Sequence, residues 1–413
     1  MSQPKTSGEP ARESVFGAIA TAFEVRANGR EVRIPKPQSS FVGKFLRFTR
    51  PLYLSEYHLS GVDLDGCVFL SRLYFTGSLV HSGARLRNCE MRGVSNFDYL
   101  QVQRDFFELD GSKFFADTSF RRTTLSCISS FTNVRFLADS ILQFDHTTFA
   151  HDARFFACSF SDRTSFENAQ FLSASSFRFA KFKTVSFSSS KFNGNATFDG
   201  ATFGGNPVFD NSQFSSATSL SACAFSGLPP SFYEARLHES VSWPEQGAWP
   251  LPSKRRVASI FVGRYGCLKR HMETQKRQND ELDFFCLELH SRRFSRPWYA
   301  PSGLMINSYR ILSDFGRSIS RPLIAFAILT FVGAWVMSAE AGTSFSWPSS
   351  RSWAMSIANM LGPLGLRKDL LGEHAYSGLS STALIFSGVQ SVLGLGLLFL
   401  IGLAIRNFFR LKS

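Results

Sequence analysis

The sequence predicts a narrow tube of short straight segments, followed by two membrane-spanning helices. Three observations carry that reading. Phe accounts for 45 of 413 residues, against 9 Tyr and 6 Trp, which is too one-sided for an ordinary aromatic core. Between residues 144 and 225 a large apolar residue recurs every five or six positions. Towards the C-terminus lie two long stretches without charge. Charged residues make up 19% of the chain and mean hydropathy is −0.04. These values exclude a disordered chain, which is poor in aromatics and rich in charge, and a polytopic transporter, which is far more apolar.

The recurrent positions are Phe144, Phe149, Phe155, Phe160, Phe166, Phe171, Phe177, Phe182, Phe187, Phe192, Phe198, Phe203, Phe209, Phe214, Leu220 and Phe225. Two residues before each stands a small side chain, such as Ala153, Cys158, Thr164 or Ala169, with Leu142 and Pro207 as exceptions. A period near five fits neither a helix nor a strand. It fits a chain that turns a corner after every segment, with the large and small residues pointing inward. Only a small residue fits beside a Phe in so narrow a space, and stacked rings fill the axis. The Phe ladder is therefore core rather than a ligand box. Cys67, Cys89, Cys158 and Cys223 occupy the small slot and read as core filler.

Units such as FENAQFLSASS and FDGATFGGNPV resemble pentapeptide-repeat proteins, whose motif is a small residue, a polar residue, a central Leu or Phe and two variable residues. The resemblance covers residues 52–240, with a degenerate N-terminal half (Leu59, Leu64, Phe69, Tyr74, Leu79, Leu86, Met91, Phe97, Val102, Phe107). It implies a right-handed quadrilateral β-helix of about twenty residues per coil. At the usual strand spacing of ~4.8 Å, nine coils make a rod of about 43 Å. The six-residue steps depart from the family pattern and read as one extra residue at a corner. Residues 1–51 are expected to cap the first coil, and GLPPSF at 227–232 to end the regular repeat.

Seven Cys without a CxxC pair, and eight His without metal spacing, argue against a disulfide framework or a zinc site. No cofactor is expected. The polar start, MSQPKTSGEPARES, lacks the pattern of a cleaved signal peptide. Ser, His and Asp are abundant but fall at outward repeat positions, so catalysis is not expected.

The net charge of +13 is unevenly placed. Residues 52–240 carry 16 basic and 18 acidic side chains, and residues 241–413 carry 20 and 10. Some pentapeptide-repeat proteins mimic duplex DNA through a strongly acidic rod. A near-neutral rod lacks that field, and it also lacks the basic surface needed to bind nucleic acid. Positive charge gathers at 254–321, with 14 basic residues against 6 acidic. The spacing there predicts two antiparallel helices within a juxtamembrane linker, 241–321. One face carries Ile260, Phe261, Tyr265 and Leu268, and the other Leu282, Phe285 and Leu289 with Phe284 and Cys286 nearby; the turn lies at Arg277–Asp280. The charge is either a solvated face or a contact with anionic lipid.

Residues 322–413 are expected to form the membrane domain. The uncharged run 322–339 covers about 27 Å as a helix, enough for a bilayer core, and a second helix is expected at about 380–405. Buried soluble helices are the competing reading. Arg310, Arg317 and Arg321 precede the first helix, and Arg406, Arg410 and Lys412 follow the second. Both ends therefore belong on the cytoplasmic side of the inner membrane. The uncharged segment 352–366 is too short to span and is either re-entrant or interfacial.

From about 254 onward the chain resembles the C-terminal module of bacterial pentapeptide-repeat membrane proteins related to two-helix ion channels. The resemblance rests on the LKRH…DELDFFCLELHSRR pair, SDFGRSISRPL and LIGLAIRNFFRLK. LGPLG stands where a potassium channel has TVGYG, so potassium selectivity is not supported. The candidate pore-lining residues are Asn359, Gly362, Pro363, Gly365, Ser387 and Gln390. Interhelical hydrogen bonding explains Ser387 and Gln390 equally well, and an ordinary turn explains Gly362 and Gly365. Gly394, Gly396 and Gly402 read as sites of close helix packing. Two functions remain open. One is a homo-oligomeric pore coupled to a cytoplasmic β-helical sensor. The other is a membrane-anchored β-helical scaffold for an unknown protein partner, without conductance.

Overall fold

The computed structural model describes residues 40–137, 139–340, 347–362 and 379–410. The chain forms two compact units, Met1–Leu251 with Gly263–His271, and Pro252–Val262 with Met272–Ser413.

In the first unit short parallel strands stack into four faces. One face is a single ten-stranded sheet running from Phe41–Val42 to Val241–Ser242, which makes about nine turns of a β-solenoid. Two faces have eight strands each. The fourth consists of five- and three-stranded pieces joined through Ser159, which bridges to Arg135 and Lys181. Paired strands begin at Phe41, inside the stretch assigned to the cap, and the last rung lies beyond the Pro-rich 227–232. Residues 1–39 lie outside the described residues.

On the long face, rungs follow one another at 21 to 24 residues, as in Phe41↔Val62↔Ala84↔Phe107 and Ser129↔Ala153↔Ser175↔Ala196. The coil is longer than the implied twenty for a local reason. Two corners are tight and hold a residue in the left-handed region, such as His146, Ala157, Asn168 or Gly200. The other two corners carry an extra residue, as at 150–152 between Phe149 and Phe155. Five- and six-residue steps therefore alternate over most of the ladder, with a run of fives from Phe177 to Phe192. Asx side chains tie the tight corners together. Asp98 accepts from Ser119 Oγ at 2.5 Å and Arg121 N at 2.8 Å, and Asp110, half a coil further on, and Asp210, in a later coil, repeat the arrangement. The outward Asp and Ser residues thus hold corners.

The fifteen ladder Phe residues are all buried. They form four columns. Phe97, Phe120, Phe144, Phe166, Phe187, Phe209 and Phe232 stack face to face with ring centroids 4.6–5.1 Å apart. Phe131, Phe155, Phe177 and Phe198 form the neighbouring column and meet the first edge to face, as Phe144 meets Phe155 at 84°. Ring stacking matches the inter-strand spacing, so each buried ring gains both burial, about 1.5–3 kcal/mol, and ring contacts. Phe156 and Phe179, which miss the period, are exposed.

The small inward residues do more than save space. Ser112, Thr123, Thr147 and Ser190 donate to the carbonyls of Leu86, Phe97, Phe120 and Phe166 in the preceding coil at 2.5–2.7 Å. Each buried hydroxyl is thereby satisfied. Burial pushes the Cys127 and Cys223 thiols up to about 12, so they stay protonated and inert at neutral pH.

At the C-terminal end Trp249 stacks on Phe225 with centroids 5.2 Å apart and meets Tyr265 edge to face. Tyr265 and Arg264 belong to helix α1 (Arg255–Thr274). Buried Arg264 donates to Asn206 Oδ1 at 2.6 Å and to the Pro229 carbonyl, and His271 Nε2 lies 3.2 Å from the Phe232 carbonyl. These contacts cover the open end of the last coil, an edge that is otherwise free to pair with other chains. Residues 241–251 and 263–271 therefore belong to the solenoid unit, although they fall within the expected linker.

The second unit contains α2 (Gln278–Ser295), α3 (Pro301–Ser313), α4 (Ser320–Glu340), α5 (Ser350–Met360) and α6 (Ser381–Arg410). Arg255 at the start of α1 donates to the carbonyl of Ser295 at the end of α2, so the pair is antiparallel, and Arg277 and Asp280 pair at 2.6 Å at its turn. The buried residues of α2 are Phe284, Cys286, Leu287, Glu288 and Ser291; Phe284 and Cys286 belong to the expected face, whereas Leu282, Phe285 and Leu289 are half-buried. Ile260 of α1 is likewise exposed. Pro301 opens α3 at its first turn, and a left-handed Asp314 closes it, its N–H donating to the Arg310 carbonyl at 2.9 Å.

Candidate functional site

Helices α4 and α6 are long and apolar enough to cross a membrane. Their side chains are distributed inside out. On α4 the buried positions after Pro322 are Thr330, Gly333, Ala334, Met337 and Ser338, one face at helical spacing. Ile324, Ile328, Phe331 and Trp335 are exposed. On α6 the buried positions are Ala383, Ser387, Gln390, Gly394, Leu397 and Ala404, while Ile385, Val392 and Phe399 are exposed. Soluble core helices do the reverse. Small and polar residues inside with large apolar residues outside is the arrangement that lipid permits.

Helix α5 packs against both. Ser349 caps its N-terminus, accepting from Ser352 N at 3.2 Å. Ser352, Met355, Ser356 and Asn359 then share one buried face. That face meets Ser387 and Gln390 in a closed polar cluster. Ser387 Oγ donates to Asn359 Oδ1 at 2.7 Å, and Asn359 Nδ2 donates to Gln390 Oε1 at 3.1 Å. Gln390 Nε2 donates to Ser356 Oγ at 2.7 Å and to the Leu329 carbonyl at 3.3 Å. Ser356 Oγ in turn donates to the Thr330 carbonyl at 2.7 Å. Asn359, Ser387 and Gln390 are all at most 3% exposed. In an apolar surrounding each of these groups needs a partner, and the cluster supplies it.

Two glycines make the approach possible. A Cβ at Gly394 would stand 2.6 Å from the Met360 carbonyl oxygen, and one at Gly333 would stand 2.4 Å from Ser356 Oγ. Gly394 thus serves close packing, as its sequence setting suggests. At Gly396 and Gly402 a Cβ meets nothing within 4 Å in the chain.

Of the six candidate pore residues, Asn359, Ser387 and Gln390 come together in this cluster. Gly362 follows α5 and is half-buried. Pro363 and Gly365 lie outside the described residues. Ser356, Thr330 and Gly333 complete the cluster without having been singled out; the spacing of Ser352, Ser356 and Asn359 along one helix was the available signal.

Polar chemistry gathers again where α2, α3 and the end of α6 meet. Arg317 pairs with Asp283, and Arg321 with Asp314 at 3.6 Å. Asn407 Nδ2 donates to the Gly316 carbonyl at 3.1 Å. His290 lies edge-on to Phe315, and burial, followed by the Arg293 and Arg310 charges, holds its pKa down. Burial pushes the Cys286 thiol up to about 12. Among the described residues no three His, Cys, Asp or Glu side chains gather as a metal cluster.

Residues 166–208 match the family model of pentapeptide repeats (9 copies). No curated protein and no solved structure matches the chain. Repeat solenoids of this kind typically act as structural or protein-interaction scaffolds, since they present a large repetitive surface and no pocket.

Proposed function

We propose that the chain is a membrane-anchored β-solenoid scaffold. Helices α4 and α6 cross the bilayer, α5 packs between them from the outer side, and the solenoid offers its faces to a protein partner in the cytoplasm. The observation that carries this reading is the inside-out distribution on α4 and α6, which suits lipid on the outside and hydrogen bonds within. The Arg residues flanking both helices support the orientation.

The anchor reading is favoured over conduction by one geometric fact. Asn359, Ser387 and Gln390 direct their side-chain hydrogen bonds to one another within a single chain, which suits a packed anchor. Conduction draws its support from Gly396 and Gly402, which are open to a neighbouring helix and so suit an oligomer.

Purified full-length protein reconstituted into planar bilayers separates the readings. The scaffold leaves the membrane non-conducting while the protein remains detergent-dependent. Ion currents that change on Asn359→Ala substitution establish the pore instead.

A further inference from the structure

Helix α3 carries an apolar side that the chain leaves uncovered. Leu304, Met305, Ser308 and Ile311 recur along that side and are exposed, Met305 at 76%. Gly303, Arg310 and Ser313 lie on the opposite side, buried or half-buried. Just before the helix stand Trp298 and Tyr299, 72% and 68% exposed, with their rings edge to face. The segment is held at both ends. Arg296 Nη1 donates to Ser302 Oγ at 2.8 Å across the loop that carries the two rings, and a Cβ at Gly303 would stand 2.2 Å from the Pro297 carbonyl oxygen. At the other end Asp314, Phe315 and Gly316 all adopt left-handed backbone and turn the chain towards α4, with the buried Phe315 ring set against Tyr309 and His290. The thirteen residues of α3 cover about 20 Å, too short to span a bilayer.

Two observations say what covers the exposed side. The first is continuity. Met305 and Leu312 share the walls of an apolar groove of about 700 Å³ with Leu329 of α4 and with Val392 and Phe399 of α6. The apolar side of α3 therefore runs without a break into the outward faces of the two long apolar helices. The second is charge. From Glu288 to Arg321 six Arg stand against two carboxylates. Glu288 pairs with Arg292 and Asp314 with Arg321, while Arg317 pairs with Asp283. Among the described residues Arg293, Arg296 and Arg310 make no ion pair. The Arg310 charge bears on Arg293, so like charge stands near like charge. A second copy docked on this side would add its own unpaired arginines to these, whereas an anionic surface would neutralise them.

We infer that α3 lies along the cytoplasmic boundary of the bilayer, on anionic phospholipid, with Leu304, Met305 and Ile311 among the acyl chains, Trp298 and Tyr299 at the level of the headgroups, and Arg293, Arg296 and Arg310 supplying the attraction. This rests on the membrane reading above. Amphipathic rings at the headgroup level and a short helix with one apolar side are what that boundary accommodates.

The test uses the full chain in vesicles of phosphatidylcholine and phosphatidylglycerol, with a nitroxide on Met305→Cys. The native cysteines are all buried, so the label goes to the introduced one. Its collisions with oxygen, which enters lipid, are compared with those of a water-soluble nickel chelate. The label at 305 is expected to favour oxygen, as is one on Ile328→Cys of α4, whereas one on Lys191→Cys of the solenoid favours nickel. Nickel access at 305 equal to that at 191 overturns the proposal, and so does spin–spin broadening at 305 that dilution with unlabelled chain removes, which assigns the side to a second copy. Nickel access at 328 as well overturns the membrane reading itself; nickel access at 305 alone overturns only the placement of α3. For the charge, lipid retained on extraction from the same vesicles is read by native mass spectrometry. Phosphatidylglycerol is expected to be enriched over the vesicle mixture, and Arg296→Gln to cut that enrichment about fivefold, the share of one arginine near an anionic surface. Arg293→Gln, which leaves the bond between Arg296 and Ser302 in place, does the same. No enrichment, or enrichment unmoved by both substitutions, overturns the assignment to anionic lipid.

Discussion

Gly333 faces Gln390 so closely that a Cβ on the glycine would stand 2.1 Å from the glutamine Nε2. The missing side chain on α4 is what lets the amide on α6 reach both Ser356 and the Leu329 carbonyl. Gly333→Val expels the amide and orphans its partners. The expected cost is about 2 kcal/mol or more, whereas Gly396→Val, on an open face, stays within ~0.5 kcal/mol. Unfolding in mixed micelles under added denaturing detergent measures both. Equal losses would show that the cluster does not hold the helices together.

The ring columns predict a sharp contrast between two Phe residues of one repeat region. Phe166→Ala opens a cavity between Phe144 and Phe187 and is expected to cost about 3–5 kcal/mol. Phe156→Ala removes an exposed ring and is expected to cost less than ~1 kcal/mol. Urea unfolding followed by circular dichroism compares the two.

Ser190 lies in the small inward slot and donates to the Phe166 carbonyl at 2.6 Å. If size alone mattered, Ala would serve equally well. Ser190→Ala is instead expected to cost about 1 kcal/mol from the lost bond, and Ser190→Leu more, by overpacking against the rings. An unchanged midpoint for Ser190→Ala would reduce the slot to a matter of volume.

His290 gives the helical unit an acid-sensitive point. Its folded pKa lies below the ordinary 6.5, so the unfolded chain takes up the proton first. Stability contributed by the neutral ring is complete above 6.5, falls as the pH drops below that value, and is fully lost below the folded pKa. His290→Gln, neutral at every pH, should flatten this part of the stability profile. The readout is the midpoint of thermal unfolding from pH 7.5 to 5. A slope unchanged by the substitution would place the sensitivity elsewhere.

The solenoid was legible because its code is local. A ring every five or six residues with a small partner two residues earlier can satisfy only a chain that keeps turning corners. The departures have physical reasons. The first coils use Leu, Val and Met, so Phe41 and Phe48 carry no visible period although both are buried in the ladder. The alternation of five and six follows from which corners adopt left-handed backbone, and residues as unlike as His146, Ala157 and Phe179 adopt it. In the helical unit, length and charge located α4 and α6, but not which side of each would be covered. The buried side of α2 also takes in Glu288, held by a 2.6 Å bond from Arg292, which an apolar pattern does not mark. The polar cluster was half legible: Asn359, Ser387 and Gln390 stood out as polar residues in apolar runs, while Gly333 and Ser356 gain their meaning only from distances.

The alternation of tight and wide corners also sets how such a chain can change length. Removing five residues would shift every later segment onto the next face and bring each ring under the wrong column. Removing a whole circuit, residues 166–186, would instead set Phe187 directly on Phe144 in the place of Phe166 and leave the covered C-terminal end as it is. The five-residue motif is thus a unit of geometry, whereas the unit of growth by duplication and loss is the full circuit. A lineage can therefore adjust the reach of this rod only in steps of one strand spacing, about 4.8 Å.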